Sequence, residues 1–445
     1  MRGGSIPAPP PPFRPRPSQP FTPTKLTPVS SLPTDRGSAR EVFWAFLKLG
    51  LTSFGGPIAH LGYFRTAFVA RRRWLSDQAY ADLVALCQFL PGPASSQVGF
   101  GLGWRRAGLR GALAAFLAFT LPSALLMLLA AYGSAVLPHD AIAGIVSGLK
   151  IVAVAVVAQA VWGMARALTP DLRRLAIAAL AATAAILFSA WGGQLIALGI
   201  GALGGWWLCR DLAGRSAAPA TSDGVPGTHP ARVAATISRR TGIAALAGAA
   251  TLLVVTPILT GILDPTRTTG LAVFDAFSRA GALVFGGGHV VLPLLHSGVV
   301  DSGWVSESQF LAGYGAAQAV PGPLFTFAAY LGALASAGPG GAWGALIALI
   351  AIFLPGFLLL VGVLPFWSAL QRIPSARAVL HGMNASVVGI LAAALITPVG
   401  TSALLGPWHV AVALLCLSLL MIAKLPPWVV VLLGAAGGVA IHLLA

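Results

Sequence analysis

Lys48 lies among Phe46, Leu47, Leu49 and Leu51, and Arg279 lies between Phe277 and Ala280, each inside an apolar run. A cation inside a bilayer is costly and marks a functional candidate by default. The bland alternative is a long side chain that snorkels back to the interface. The two cations occupy equivalent places, because "FLKLGLTSFGG" (46–56) aligns with "FSRAGALVFGG" (277–287). Facing one site from opposite sides, they could together neutralise a dianion. Just beyond them the runs are broken by Gly55, Gly56 and Pro57 in one place and by Gly286, Gly287 and Gly288 in the other. His60 and His289 follow these breaks. Either could donate to an oxyanion or carry a proton, or simply bond a neighbouring carbonyl.

A second pair of breaks follows at Pro91, Gly92, Pro93 and at Pro321, Gly322, Pro323. Gln88 and Gln318 precede them as polar groups in apolar helices. Ser95, Ser96 and Thr326 come after them and offer hydroxyls for a ligand or for helix caps. Lys150 and Asn384 form a further equivalent pair, in "SGLKIVAV" and "HGMNASVV". Asp77, Asp82 and Glu307 near segment starts fit proton transfer or interfacial capping equally. No Walker loop, metal cluster or nucleophile–base–orienter set is present, so neither enzyme chemistry nor a cofactor or metal is expected. Transport, if that is the task, would run on gradients.

The elements that must position these residues are membrane helices. The chain has 445 residues, 57% hydrophobic and 9% charged, where a soluble domain carries roughly 25% charged. Runs such as 111–133 and 344–366 exceed the ~20 residues needed to cross a bilayer. An all-α polytopic membrane protein is therefore expected. The net charge of +16 sits in the N-terminal tail and in short loops, as in cytoplasmic loops, so nucleic acid is not an expected partner. Cys87, Cys209 and Cys416 are isolated and suggest no disulfide framework.

The domain plan read from composition is a Pro-rich, disordered cytoplasmic tail over 1–38, a first repeat over 41–208, a cytoplasmic linker over 209–240, a connecting helix over 241–263 and a second repeat over 270–444. Ordered landmarks recur near an offset of 230, including "RWLSDQ" (73–78) with "GWVSES" (303–308) and Leu121–Pro122 with Leu354–Pro355, which argues for duplication. Six segments per half and one connector insert the second half upside down, an inverted repeat. Full crossing by all thirteen would put Arg71, Arg72 and Arg73 outside. If the first two segments of each half instead enter and leave on one face, these arginines lie inside with Arg105, Arg106, Arg173, Arg174 and Lys424. The expectation is nine full spans and four re-entrant hairpins. The glycine and proline breaks would be the hairpin tips, around a wet cavity into which half-helices aim free N–H groups.

"SFGGPIAH", followed by a tryptophan loop, "QFLPGPASSQVG" and "GALAAFLAFTLPS", resembles the chromate ion transporter family in its long-chain, two-domain bacterial form. The resemblance spans 41–444 and is carried by Phe54, Gly55, Gly56, Pro57, His60, Trp74, Gln88, Pro91, Gly92 and Pro93. In the second half Gly288 replaces the motif proline and Val291 stands where His60 would pair. The family implies export of chromate across the inner membrane, conferring resistance; the placement of the arginines, with nine full spans, puts the N-terminus in the cytoplasm and the C-terminus in the periplasm. The expected partners are the chromate anion or the similar dianion sulfate, the lipid bilayer, and a second copy in a homodimer. Transport of another anion, a structural membrane protein and, most weakly, a membrane enzyme are the rival expectations.

Overall fold

The computed structural model describes residues 37–136, 139–188, 190–211, 237–370 and 373–444. Most of the expected tail and inter-repeat linker lies outside the described residues. Every regular element among the described residues is helical. The first half runs α1 (Ala39–Thr52), α2 (Gly56–Phe64, continued by a π-helical stretch Arg65–Arg71), α3 (Asp77–Phe89), α4 (Ala94–Val136), α5 (His139–Leu168), α6 (Leu172–Leu187) and α7 (Ala190–Leu208). A single helix, α8 (Arg239–Leu263), follows. The second half repeats the order with α9 (Gly270–Ala282), α10 (Val291–Val299), α11 (Glu307–Ala319), α12 (Phe327–Leu334), α13 (Gly341–Val363), α14 (Pro374–Ala394), α15 (Pro407–Met421) and α16 (Pro427–Leu444).

The caps follow from sequence. Ser76 accepts from the Ala79 N–H to start α3, and Ser306 forms a capping box with Gln309 to start α11. These serines are repeat equivalents, and each supplies an acceptor that the helix start would otherwise lack. At Ala107–Gly108 the backbone leaves helical geometry, so α4 is a short arm joined to a long span. Among the described residues five helices, in α4, α5, α8, α13 and α14, are long and apolar enough to cross a membrane. The remaining expected spans α6, α7, α15 and α16 have 16, 19, 15 and 18 residues, slightly under the usual requirement of ~20.

The first two segments of each half are helical hairpins. Arms such as α1 with 14 residues and α3 with 13 reach only ~20 Å at 1.5 Å per residue. Their bases close on themselves. Trp74 Nε1 donates to Glu41 at 3.2 Å, Arg106 binds the same carboxylate at 3.1 Å, and the Arg106 guanidinium lies over the Trp74 ring. Glu41 opens the first hairpin, Trp74 follows it and Arg106 ends the second, so both hairpins enter and leave at one place. The second half closes alike, with Gly338 N donating to Thr268 O and Ser336 N to Trp304 O.

Packing holds each hairpin on its own half's long helix: α1 lies along α4 and α9 along α13. Phe46, Phe64, Phe68 and Phe119 interlock there, with Phe46 and Phe68 stacked at 4.7 Å. Leu109, Leu113, Leu117, Leu121, Leu125 and Leu129 form the outward stripe of α4, as expected of a lipid face at helical spacing. Between helices in lipid, close van der Waals fit replaces water exclusion as the attraction. Gly281 of α9 shows the consequence, since a Cβ there would come within 2.0 Å of the Ile352 carbonyl of α13. The outer helices are exchanged between halves: α14 packs on α6 and α7, and α5 on α15 and α16.

Candidate functional site: the crossed hairpin tips

The tips are where the glycines and prolines fall. Gly55, Gly56, Gly286 and Gly287 all have positive φ, as do Gly92 and Gly322. Each second-hairpin tip is bonded to the first-hairpin tip of the other half. Gly92 N donates to Val284 O at 2.8 Å, and Gly322 N donates to Ser53 O at 3.0 Å. Val284 and Ser53 are repeat equivalents, so the two bonds are one interaction made twice. The tips are wedged against the long helices of the opposite half. A Cβ on Gly322 would lie 2.7 Å from Ser123 Oγ of α4, and one on Gly92 would lie 3.1 Å from Gly356 Cα of α13. Pro57 meets Gly288 across the centre, where a Cβ would come within 2.9 Å of the proline ring.

Around this crossing the expected residues divide. Ser95, Ser96 and Thr326 are buried, and Thr326 Oγ1 bonds the Pro323 carbonyl in its own turn. His60 is fully buried, with Nε2 3.3 Å from Ser53 O and its ring edge-on to Phe119. His289 Nδ1 and the Tyr314 hydroxyl share a hydrogen bond at 2.7 Å, which ties the two second-half hairpins together. Gln318 is partly buried one turn beyond Tyr314, whereas Gln88 is exposed. Asn384 approaches the tip at Gly286, its Oδ1 3.4 Å from where a Cβ would sit. Its equivalent Lys150 is turned elsewhere, into electrostatic range of Glu307.

The two cations differ more than their symmetry suggests. Arg279 is ion-paired with Asp275, fully buried one turn earlier, and Thr256 donates to the same carboxylate. A carboxylate therefore does stand beside this cation, one helical turn back in the sequence. Lys48 is exposed on α1. It lines a groove of about 660 Å³ between the arms of the first hairpin, with Thr52, Tyr63, Thr66, Arg71 and Arg72. The groove runs from the hairpin base at Arg71 and Arg72 to the last residue before the tip. Three cations and no carboxylate make its lining suited to an oxyanion, while the Thr52 and Thr66 hydroxyls donate to the Lys48 and Gly62 carbonyls of their own helices. Beyond the residues that line the groove, α2 begins at Gly56 with no side-chain cap, and open space faces Gly56, so the first-turn N–H groups carry the positive end of a helix dipole.

The chromate transporter family model matches residues 40–206 and again 271–439. The chain belongs to the chromate transporter family. The match is made twice, once per half, which agrees with the duplication. Among similar proteins are a chromate transport protein of Pseudomonas aeruginosa, 28% identical over 86% of this chain and 84% of its own, and a probable chromate transport protein of Synechococcus elongatus, 29% identical over 90% and 95%. A chromate transport protein of Cupriavidus metallidurans is 28% identical over 85% and 86%. No solved structure matches. The family motif now has physical content: Gly55, Gly56 and Pro57 form the first tip, Pro91, Gly92 and Pro93 form the crossing, and Trp74 clasps the hairpin bases.

Gln97 escapes notice in the sequence. It is fully buried and donates to Pro91 O at 3.0 Å and to Gly356 O at 2.9 Å, linking the halves at the crossing. The available signal is an amide four residues after a Pro-Gly-Pro break, beside the serines that draw attention first. Gln194 of α7 is likewise buried, donating to Pro293 O and Ser297 Oγ of α10.

Proposed function

We propose that this member of the family exports chromate from the cytoplasm, and that the anion enters along the groove of Lys48, Arg71 and Arg72 toward the crossed tips. The observation that carries this is the groove itself, a run of cations without a carboxylate whose lining reaches Thr52, the last residue of α1 before the tip. Supporting the substrate are the relatives named as chromate transport proteins. Arg71, Arg72 and Arg73 at the hairpin base, with Arg105, Arg106, Arg173, Arg174 and Lys424, favour a cytoplasmic position for that end, in a bacterial inner membrane with the C-terminus periplasmic. A dianion leaving a cell that is negative inside by 100 mV gains ~4.6 kcal/mol, at ~2.3 kcal/mol per charge. Potential alone then suffices for export.

Arg279, bonded to Asp275, serves this reading as an anchor of α9 and a field source rather than as an open cation. The test is chromate uptake into inverted membrane vesicles, with sulfate as competitor. Lys48→Ala and Arg72→Ala should each lower uptake severalfold, while Asp275→Asn paired with Arg279→Gln removes both charges without stranding either. Uptake indifferent to Lys48→Ala and Arg72→Ala sinks the groove. Uptake that sulfate abolishes at equal concentration moves the substrate from chromate to tetrahedral dianions in general.

A further inference from the structure

The offset of 231 that pairs Lys48 with Arg279 also pairs Arg65 with His296, and the offset of 230 that aligns "RWLSDQ" with "GWVSES" pairs Asp77 with Glu307. Within each half the two residues are in contact. Arg65 Nε is 2.7 Å from Asp77 Oδ1, and His296 Nε2 is 2.6 Å from Glu307 Oε2. In each half the bond ties the second arm of the first hairpin to the first arm of the second hairpin. One clasp is thus built twice, with different chemistry. A guanidinium is a permanent cation, whereas a histidine changes charge between about pH 5 and 8 when unperturbed.

The second-half clasp has a third member. His296 Nδ1 is 3.3 Å from Asp301 Oδ1, in the turn between α10 and α11. Carboxylate oxygens therefore face both ring nitrogens. A neutral imidazole has a single N–H and would turn a lone pair toward one of them, while the imidazolium donates to both. The geometry itself counts the proton. The surroundings fit a site whose charge can change. Lys150 of α5 lies within electrostatic range of Glu307, and the Ser402 hydroxyl is 3.5 Å from Glu307 Oε1. α7 presents the uncharged Gln194 to Ser297, the charges of α9, Asp275 and Arg279, are bonded to each other, and α14 turns Asn384 to Gly286. The side chain of His296 is 12% exposed and that of Arg65 63%, so the titratable clasp is enclosed and the permanent one is open.

We propose that His296, held between Asp301 and Glu307, is a proton-binding site whose occupancy keeps the second-half hairpins clasped. Loss of that proton leaves two carboxylates about a neutral ring, frees Glu307 toward Lys150 and releases α10 from α11. Its place in a transport cycle rests on the function proposed above: the two hairpin pairs open on different terms, one of them set by proton concentration. The bond that carries the site is independent of which anion moves.

Hydrogen exchange of the full chain in lipid nanodiscs tests this, with labelling times scaled to the intrinsic rate at each pH from 5.5 to 10. Amides of 291–311 should lose about tenfold or more of their protection as pH rises, the scale of one charge-assisted hydrogen bond. His296→Gln should lack that protection at every pH, and His296→Arg should retain it at every pH. Arg65→His should transfer a pH dependence to 57–80. Protection of 291–311 that is flat with pH in the unaltered chain, or a pH dependence that survives His296→Gln, overturns the proposal. Because no anion is transported in this experiment, a failure of chromate uptake in vesicles would remove the substrate and leave the proton site standing.

Discussion

Replacing Gly322 by alanine should damage the crossing from two directions at once. Gly322 has φ +107°, a region that side-chain-bearing residues enter at a cost of order 1–3 kcal/mol. The added Cβ would also lie 2.7 Å from Ser123 Oγ and 3.3 Å from the Phe119 carbonyl, well inside ordinary contact at ~3.5–4.0 Å. Overpacking of this kind adds about 1–3 kcal/mol. If the tip moves to relieve it, the bond from Gly322 N to Ser53 O lengthens, and about 1 kcal/mol more is lost. The expected destabilisation is therefore about 2–7 kcal/mol, with chromate uptake into vesicles reduced tenfold or more in the protein that still folds. Ser123→Gly on the same chain separates the contributions. It removes the clash but not the backbone strain, so the double variant should recover about 1–3 kcal/mol, and the two changes should be non-additive. Unfolding in detergent, followed by denaturant titration, reads the stability. Gly322→Ala with unaltered stability and unaltered uptake would refute the wedge, and so would additivity with Ser123→Gly.

Gly281→Val places carbon 2.0 Å from the Ile352 carbonyl, a backbone atom that no rotamer change can move. Extraction should yield aggregated protein by size exclusion, consistent with a penalty of about 3 kcal/mol or more. Gln97→Leu leaves the Pro91 and Gly356 carbonyls without their amide donor and should cost about 1–3 kcal/mol of stability in denaturant titration. Asp264, between α8 and α9, receives the Thr268 and Thr269 N–H groups at 2.9 Å and the Thr269 hydroxyl at 2.8 Å. Burial pushes its pKa upward, but these donors outweigh it and hold the group at about 2, below its ordinary 3.8. The folded value lies below the unfolded one, so this contribution is complete above pH 4 and is lost as pH falls through about 2. Thermal unfolding between pH 2 and 5 should show that dependence, and Asp264→Asn should flatten it.

Much of the architecture was legible because lipid imposes few solutions. A glycine pair or a Pro-Gly-Pro inside an apolar run has to be a break, and the arginines after the first break could be kept on the basic side only by a hairpin. The base contacts of Glu41, Trp74 and Arg106 place the hairpin ends together accordingly. What the sequence could not convey was which way a side chain turns. Lys48 and Arg279 align perfectly in the repeat, yet Asp275 stands one turn before Arg279 while Trp44 stands one turn before Lys48. Lys150 and Asn384 align as well, but Asn384 reaches a tip and Lys150 reaches Glu307. His60 sits in a motif and is enclosed by Phe119 and the Ser53 carbonyl. Repeats fix backbone positions, and the charges are then free to differ between copies.

The exchanged bonds at the crossing have a consequence for assembly. Neither half can satisfy its own second tip: the Gly92 N–H needs the Val284 carbonyl, and the Gly322 N–H needs that of Ser53. A chain carrying one half alone would hold a donor and an acceptor at membrane depth with nothing to meet them, a costly state in hydrocarbon. Two such chains facing each other in opposite orientations would meet both needs. A half-length chain with these tips is thus expected to work only in pairs, and covalent fusion removes the concentration dependence of finding the partner.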